Sequence, residues 1–585
     1  MPNIYALLFS CISFLFHSPE DFITPYEKSG KIHSATYAEI IDYYEQLDKA
    51  FPEIKMIEYG KTDVGKPLHL VVVSKDKVFD PVEIRQSGKR ILLVNNGIHA
   101  GEPCGIDASM MLARDLVQNR KLRKLLDHQV IAFIPAYNIG GVLNRGCCSR
   151  ANQNGPEAYG FRGNARNYDL NRDFIKADTR NARSFHEIFQ TWQPEVFIDN
   201  HTTNGADYPA VLTYIATQPD KAHPKIGAYM QEKMLPDLKA YMDSKNILIC
   251  PYVNSIKNTP DDGISYFLDL PRYSSGYASL FHTMSFISEA HMLKEFHERV
   301  NATYEFMQGL IGHIDGNYQE IGKIVMAARE QAKTQKEFDI AWQLDQENHD
   351  NLLFEGYEAK YKPSEITGQN RLYYDRNSPW KKEIPFYNRY LTTKKVKKPF
   401  AYIIPQGQER VIQNLETNQI EIFTFQRDTT LSVEVSYISD ILTSTRSYEG
   451  HYYHTEVKLR KDKQTLPFYA GDKVVYVNQT RNPYIIHTLE PEAQDAFFRW
   501  NYFDAILMRK EYFSPYVFED EAARILEKNP ELRERLEERK GQDSTFIKAP
   551  WMQLNFIYEN SPYYEKTHNR YPIVRLNEEV SLPVN

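Results

Sequence analysis

The chain has 585 residues, 42% hydrophobic and 25% charged, with a formal net charge of -7. That balance supports a large core and excludes global disorder, and the length corresponds to about two to four domains. The acidic balance excludes a broad nucleic-acid surface, and no apolar run is long enough for an integral membrane segment.

In chain order, residues 4–16 form an apolar run of signal-peptide length. A signal peptide over 1–18 and an extracytoplasmic location are therefore expected. An amphipathic helix follows over 37–51 and a strand over 68–73. Residues 90–96 read as a strand buried on both faces, ended by Gly97, and 106–118 as the next helix. Another buried strand spans 130–135, and Asp178 is the expected cap of a helix running to 192. Short strands over 196–199, 211–216 and 285–288 complete a helix-flanked mixed sheet.

Residues 298–347 read as helical, and the Lys- and Pro-containing stretch 378–398 as a linker. Beyond it come strands over 400–404 and 420–425 around a helix, then alternating strands over 431–438, 456–459 and 473–477. Helices are expected at 494–507 and 519–540, and the aromatic run 497–503 is expected to be core. The five cysteines, Cys11, Cys104, Cys147, Cys148 and Cys250, make no disulfide framework and no Cys-x-x-Cys zinc pair. Cys147 and Cys148 are adjacent, a poor geometry for pairing with each other.

The chemistry gathers in the first half. His99 and Glu102 have His-x-x-Glu spacing, which alone means little: it recurs at His17/Glu20 and His487/Glu490. His99 differs in following a buried strand, and ligands gather beyond the carboxyl ends of strands in open α/β sheets. His201 follows a second apolar strand. Two His and one carboxylate suit a catalytic zinc, which keeps an open coordination position. Residues 161–172 are dense in Arg and Asn, the donors that recognise a carboxylate.

His99-x-x-Glu102, Arg162 seven residues before Asp169-Leu170-Asn171-Arg172, then His201 and Glu289 together resemble the zinc metallocarboxypeptidases of the carboxypeptidase A type, over roughly residues 30–315. The resemblance implies an α/β fold: a mixed, mainly parallel eight-stranded sheet with helices on both faces. It implies one zinc ion per chain, held by His99, Glu102 and His201, with Asp169 fixing the His99 tautomer. Arg162 is the implied oxyanion stabiliser, Asn171 and Arg172 grip the substrate carboxylate, and Glu289 is the general base. Tyr273 is the expected substrate-capping tyrosine, with Tyr277 the alternative, and Arg272 is a further candidate carboxylate contact. Asp173 stands where the family has Asn, and is expected to influence anion binding or favour a cationic substrate group.

The expected organisation is thus a signal peptide over 1–18, a carboxypeptidase-like catalytic domain over 24–315, a helical linker region over 316–384, and a C-terminal α+β accessory domain over 385–585. The expected activity is removal of C-terminal residues from a peptide or peptide-like substrate with a free carboxylate, with no nucleic-acid partner. Two alternatives stay open: a zinc amidase or deacylase acting on N-acyl amino acids or cell-wall peptides, and a non-catalytic binding protein on the same scaffold.

Overall fold

Apolar strands whose side chains alternate between two cores organise the first half of the chain. The computed structural model describes residues 22–585, so the expected signal peptide lies outside the described residues. The first ten strands are β1 (Ile54–Lys61), β2 (Pro67–Val73), β3 (Arg90–Asn96), β4 (Gln129–Ile134), β5 (Val196–Thr203), β6 (Leu212–Ala216), β7 (Ile249–Pro251), β8 (Asn254–Ser255), β9 (Ile264–Ser265) and β10 (Met284–His291). Eight of them form one sheet in the order β1-β2-β4-β3-β5-β10-β6-β7. The β3–β4, β3–β5, β5–β10 and β6–β7 pairings are parallel; the β1–β2, β2–β4 and β6–β10 pairings are antiparallel.

Period-two alternation assigns each strand residue to a face. Leu92 and Val94 join Val71, Phe133 and Ile198 beneath helices Tyr37–Ala50, Cys104–Gln118 and Phe296–Thr334. Ile91 and Leu93 join Val72, Ala132 and Phe197 against helix Arg180–Trp192. The chain therefore builds the mixed, mainly parallel eight-stranded sheet with helices on both faces. The second core does not stop at this sheet. It runs on into Tyr402, Ile404, Tyr484, Phe497 and Trp500 of the C-terminal half, so the aromatic run is core.

Ten further strands belong to that half: β11 (Glu337–Leu344), β12 (Asp350–Pro363), β13 (Asn370–Tyr387), β14 (Tyr390–Lys397), β15 (Ala401–Ile404), β16 (Phe423–Thr424), β17 (Thr429–Thr443), β18 (His454–Phe468), β19 (Lys473–Tyr476) and β20 (Val574–Leu576). They form a β11–β14 pair, a sheet ordered β12-β13-β9-β8 that includes β8 and β9 of the first half, and a six-stranded sheet ordered β16-β19-β15-β20-β17-β18.

Several expectations are corrected. The region 316–384 is helical only to Thr334 and then becomes strands, and 378–398 is ladder rather than linker. Its lysines alternate with buried Phe386 and Val396, and Pro379 adjoins a register shift opposite Tyr357, where a missing N–H is tolerated. Within 494–507 there are only short 3-10 turns, and 420–425 contributes the two-residue β16. The helix cap is Thr179, which accepts from Ala182 N at 3.1 Å; Asp178 instead pairs with Lys176 and His451. Cys147 and Cys148 are joined as a disulfide, which the turn at Cys148 (φ 80°) accommodates.

Candidate metal and substrate site

The site forms where β3 and β5 end side by side. After Asn96 the chain turns at Gly97, whose φ of 68° suits glycine. His99 and Glu102 follow, then the helix from Cys104. That helix lies close against β5: a Cβ on Gly105 would sit 2.3 Å from the Cβ of Asn200. His201 lies within β5, which continues to Thr203, rather than in the loop expected after residue 199.

The donor atoms of His99, Glu102 and His201 lie within 4.8 Å of one another, the sole such group among the described residues. His99 Nδ1 is 3.1 Å from His201 Nδ1 and 3.2 Å from Glu102 Oε1, and His201 Nδ1 is 3.1 Å from Glu102 Oε2. The outer ring nitrogens face carboxylates: His99 Nε2 to Asp169 Oδ1 at 3.0 Å and His201 Nε2 to Asp199 Oδ2 at 3.0 Å. An ionised carboxylate only accepts, so each Nε2 is an N–H donor, and each ring turns its Nδ1 inward toward Glu102. A cation placed beside the two Nδ1 atoms, 3.1 Å apart, and the Glu102 carboxylate would be held by their lone pairs. Two imidazole nitrogens and one carboxylate fit zinc.

Guanidinium groups surround this cluster. Arg162 donates to Asp169 Oδ2 at 2.9 Å and to Glu102 Oε1 at 3.4 Å, with its side chain 44% exposed toward the cleft. Arg150, which sequence reasoning missed, donates to Glu102 Oε1 at 2.6 Å and to the Thr202 carbonyl at 2.9 Å. Burial raises the Glu102 carboxyl, but Arg150 and His99 outweigh it and hold the group well below the usual carboxylate range. Asp169 is likewise raised by burial and lowered further by His99 and Arg162, with a low net result.

The cleft above the cluster has a volume of about 310 Å3. Its walls bring together His99, Glu102, Arg162, Asn171, Arg172, Tyr273 and Glu289, while Asp169 and His201 stand behind them. Glu289 sits on β10 directly opposite His201 in parallel register. Burial pushes its carboxyl up to about 7; Glu102 adds to the rise and His201 opposes it. Asn171 is pinned through its backbone N to Asp169 Oδ1 at 2.9 Å and by accepting from Ser274 N at 3.1 Å. The Arg172 guanidinium lies 4.7 Å from the Tyr273 ring centroid. Tyr252, Phe267, Ile215 and Ile287 supply the aromatic and apolar part of the wall.

Three candidates fall elsewhere. Tyr277 is fully buried and bonded to Gln190 and Asn418. Arg272 is not among the residues lining the cleft and pairs with buried Asp495 at 2.7 Å, so it is not free for a substrate carboxylate. Asp173 is also buried, accepting from Lys176 Nζ at 2.8 Å and Thr179 N at 3.0 Å, so its carboxylate serves the helix start rather than the substrate. Among the described residues the other histidine motifs hold no metal group: His451 and His454 pair separately with Asp178 and Asp504, and Glu490 pairs with Arg575; His17 and Glu20 lie outside the described residues.

Residues 40–210 match the zinc carboxypeptidase family. This stretch contains every proposed metal ligand, Arg162, Asn171 and Arg172, but not Tyr273 or Glu289. Carboxypeptidase 2 of Trichophyton tonsurans is 30% identical over 142 residues, 24% of this chain and 23% of that protein. Carboxypeptidase 2 of Trichophyton rubrum is 31% identical over the same length and the same shares. The chain thus spans about a quarter of the length of the curated relatives it matches. Among solved structures, a metallo-carboxypeptidase from Burkholderia cenocepacia aligns over 48% of this chain and 68% of that one, with 15% identity and a TM-score of 0.35. The stretch that carries the His99, Glu102 and His201 cluster is thus similar to the zinc carboxypeptidase family.

Proposed function

We propose that this protein is a zinc-dependent hydrolase that removes C-terminal residues from peptides. The observation that carries the reading is the convergence, in one cleft, of a three-ligand cluster, a carboxyl at Glu289, and the Asn171–Arg172 pair. A zinc ion held by His99, Glu102 and His201 would supply Lewis-acid chemistry, activating water and polarising the scissile carbonyl.

The protein's own groups do the rest. Asn171 and Arg172 hold the terminal carboxylate through charge-assisted hydrogen bonds and place the last peptide bond over the cluster. Glu289 takes a proton from the attacking water and returns it to the leaving amine. Arg162 donates to the oxygen on which negative charge develops. Tyr273, held over Arg172, closes one side and excludes water. Ile215, Ile287, Tyr252 and Phe267 favour an apolar or aromatic terminal side chain. The proposed setting is extracytoplasmic, which an exposed Cys147–Cys148 disulfide suits.

Glu289→Gln tests the reading. Because Glu289 is not a ligand, the variant is expected to keep its zinc while cleavage falls by about two to four orders of magnitude. Wild-type cleavage by a zinc-loaded variant would remove Glu289 from the mechanism.

A further inference from the structure

The strand pair β17–β18 closes in a loop whose tip reaches back to the catalytic half. Tyr448 N donates to His451 O at 2.7 Å and His451 N to Tyr448 O at 3.1 Å, with Glu449 and Gly450 between them. Both central residues have positive φ, 49° at Glu449 and 79° at Gly450, as a tight two-residue turn demands. Glycine adopts this freely. Glutamate does so at a cost, and such conformations persist where the surroundings over-determine them.

Those surroundings are the segment that carries the site. Asp169 N donates to Glu449 Oε2 at 2.8 Å. A Cβ on Gly450 would sit 2.7 Å from the Tyr168 hydroxyl, so only glycine fits there. His451 Nε2 lies 2.8 Å from Asp178 Oδ2. Three consecutive residues of the C-terminal half, Glu449, Gly450 and His451, therefore touch Asp169, Tyr168 and Asp178 in turn.

We infer that the 448–451 turn is a working part of the site: Glu449 positions Asp169, which orients His99. Glu449 does not touch the scissile bond, and its role rests only on the metal cluster. The C-terminal half is on this view an element the metal site cannot do without.

The full-length chain tests this with Glu449→Ala and Glu449→Gln. Glu449→Ala weakens zinc binding, measured by chelator competition, by about tenfold or more, as for loss of a group that supports a ligand's orienter. Glu449→Gln, which keeps an acceptor oxygen, restores it. Unchanged zinc affinity in Glu449→Ala overturns the assignment. Glu449→Ala and Glu449→Gln equally impaired would mean that the turn merely packs, which also overturns it. Should Glu449→Ala not fold, Glu449→Asp, which keeps the charge but falls one methylene short of Asp169 N, is expected to show the same loss, and unchanged affinity there overturns the assignment. A wild-type enzyme indifferent to the terminal carboxylate would refute the peptidase reading while leaving the zinc measurement on Glu449 valid.

Discussion

Replacing Asp199 by Asn removes a charge that no substrate touches, yet it is expected to loosen the metal. Asp199 is fully buried and accepts through Oδ2 from His201 Nε2 at 3.0 Å and from Ser274 Oγ at 2.6 Å; Oδ1 accepts from Asn95 Nδ2 at 3.4 Å. Asparagine offers one oxygen. If it faces His201, its NH2 group meets the Asn95 NH2 donor; if it faces Asn95, it turns a donor toward the His201 N–H. Either way a buried donor goes unpaired, at about 1 to 3 kcal/mol. Loss of the carboxylate also lowers the basicity of His201 Nδ1. Changes of this kind weaken metal binding about tenfold to a hundredfold, or about 1.4 to 2.8 kcal/mol. Chelator competition on wild type and Asp199→Asn measures it directly. Equal zinc affinities, with the variant folded, would refute the assignment of Nδ1 as the ligand atom of His201.

Two further outcomes follow from the same geometry. Arg272→Met leaves Asp495 buried without its partner and is expected to destabilise by about 3 kcal/mol, seen in thermal unfolding. KM for a free-acid peptide should stay unchanged, and a large rise would return Arg272 to the substrate site. His487, stacked on Trp342, is held near 3 by burial, below its unfolded value of about 6.5. The folded state keeps it neutral while the unfolded state protonates, so its contribution is intact above about pH 6.5 and is lost as pH falls below it. Between pH 7.5 and 5.5, His487→Phe should therefore lose about 1.4 kcal/mol less stability than wild type in denaturant titrations; parallel losses would contradict this.

The site was largely legible in the sequence because its parts are local. His99 and Glu102 share one turn, and Asp169, Asn171 and Arg172 share one short segment, so their spacing carries the geometry. Asp199 also left a signal: residues two apart on a strand share a face, which puts its carboxylate beside His201. A strand taken to end at residue 199 hides that signal, because β5 runs on to Thr203. Arg150 left none, since it reaches Glu102 across 48 residues of chain. The eight-stranded sheet was readable from apolar runs buried on both faces. The long ladders β12–β13 and β17–β18 were harder, because strands exposed on both sides carry lysines and glutamates where a buried strand carries valines. Contacts such as Glu449 to Asp169 join residues 280 positions apart, and no pattern within either segment announces them.

The central claim is that Asn171 and Arg172 hold a free terminal carboxylate above the His99, Glu102 and His201 cluster. The zinc-loaded protein should be given one apolar-ended peptide as the free acid and as its C-terminal amide. The account predicts a kcat/KM for the free acid about a hundredfold or more above that for the amide, with single residues released from the C-terminus. Equal rates on the two substrates, or cleavage only within the chain, would contradict it.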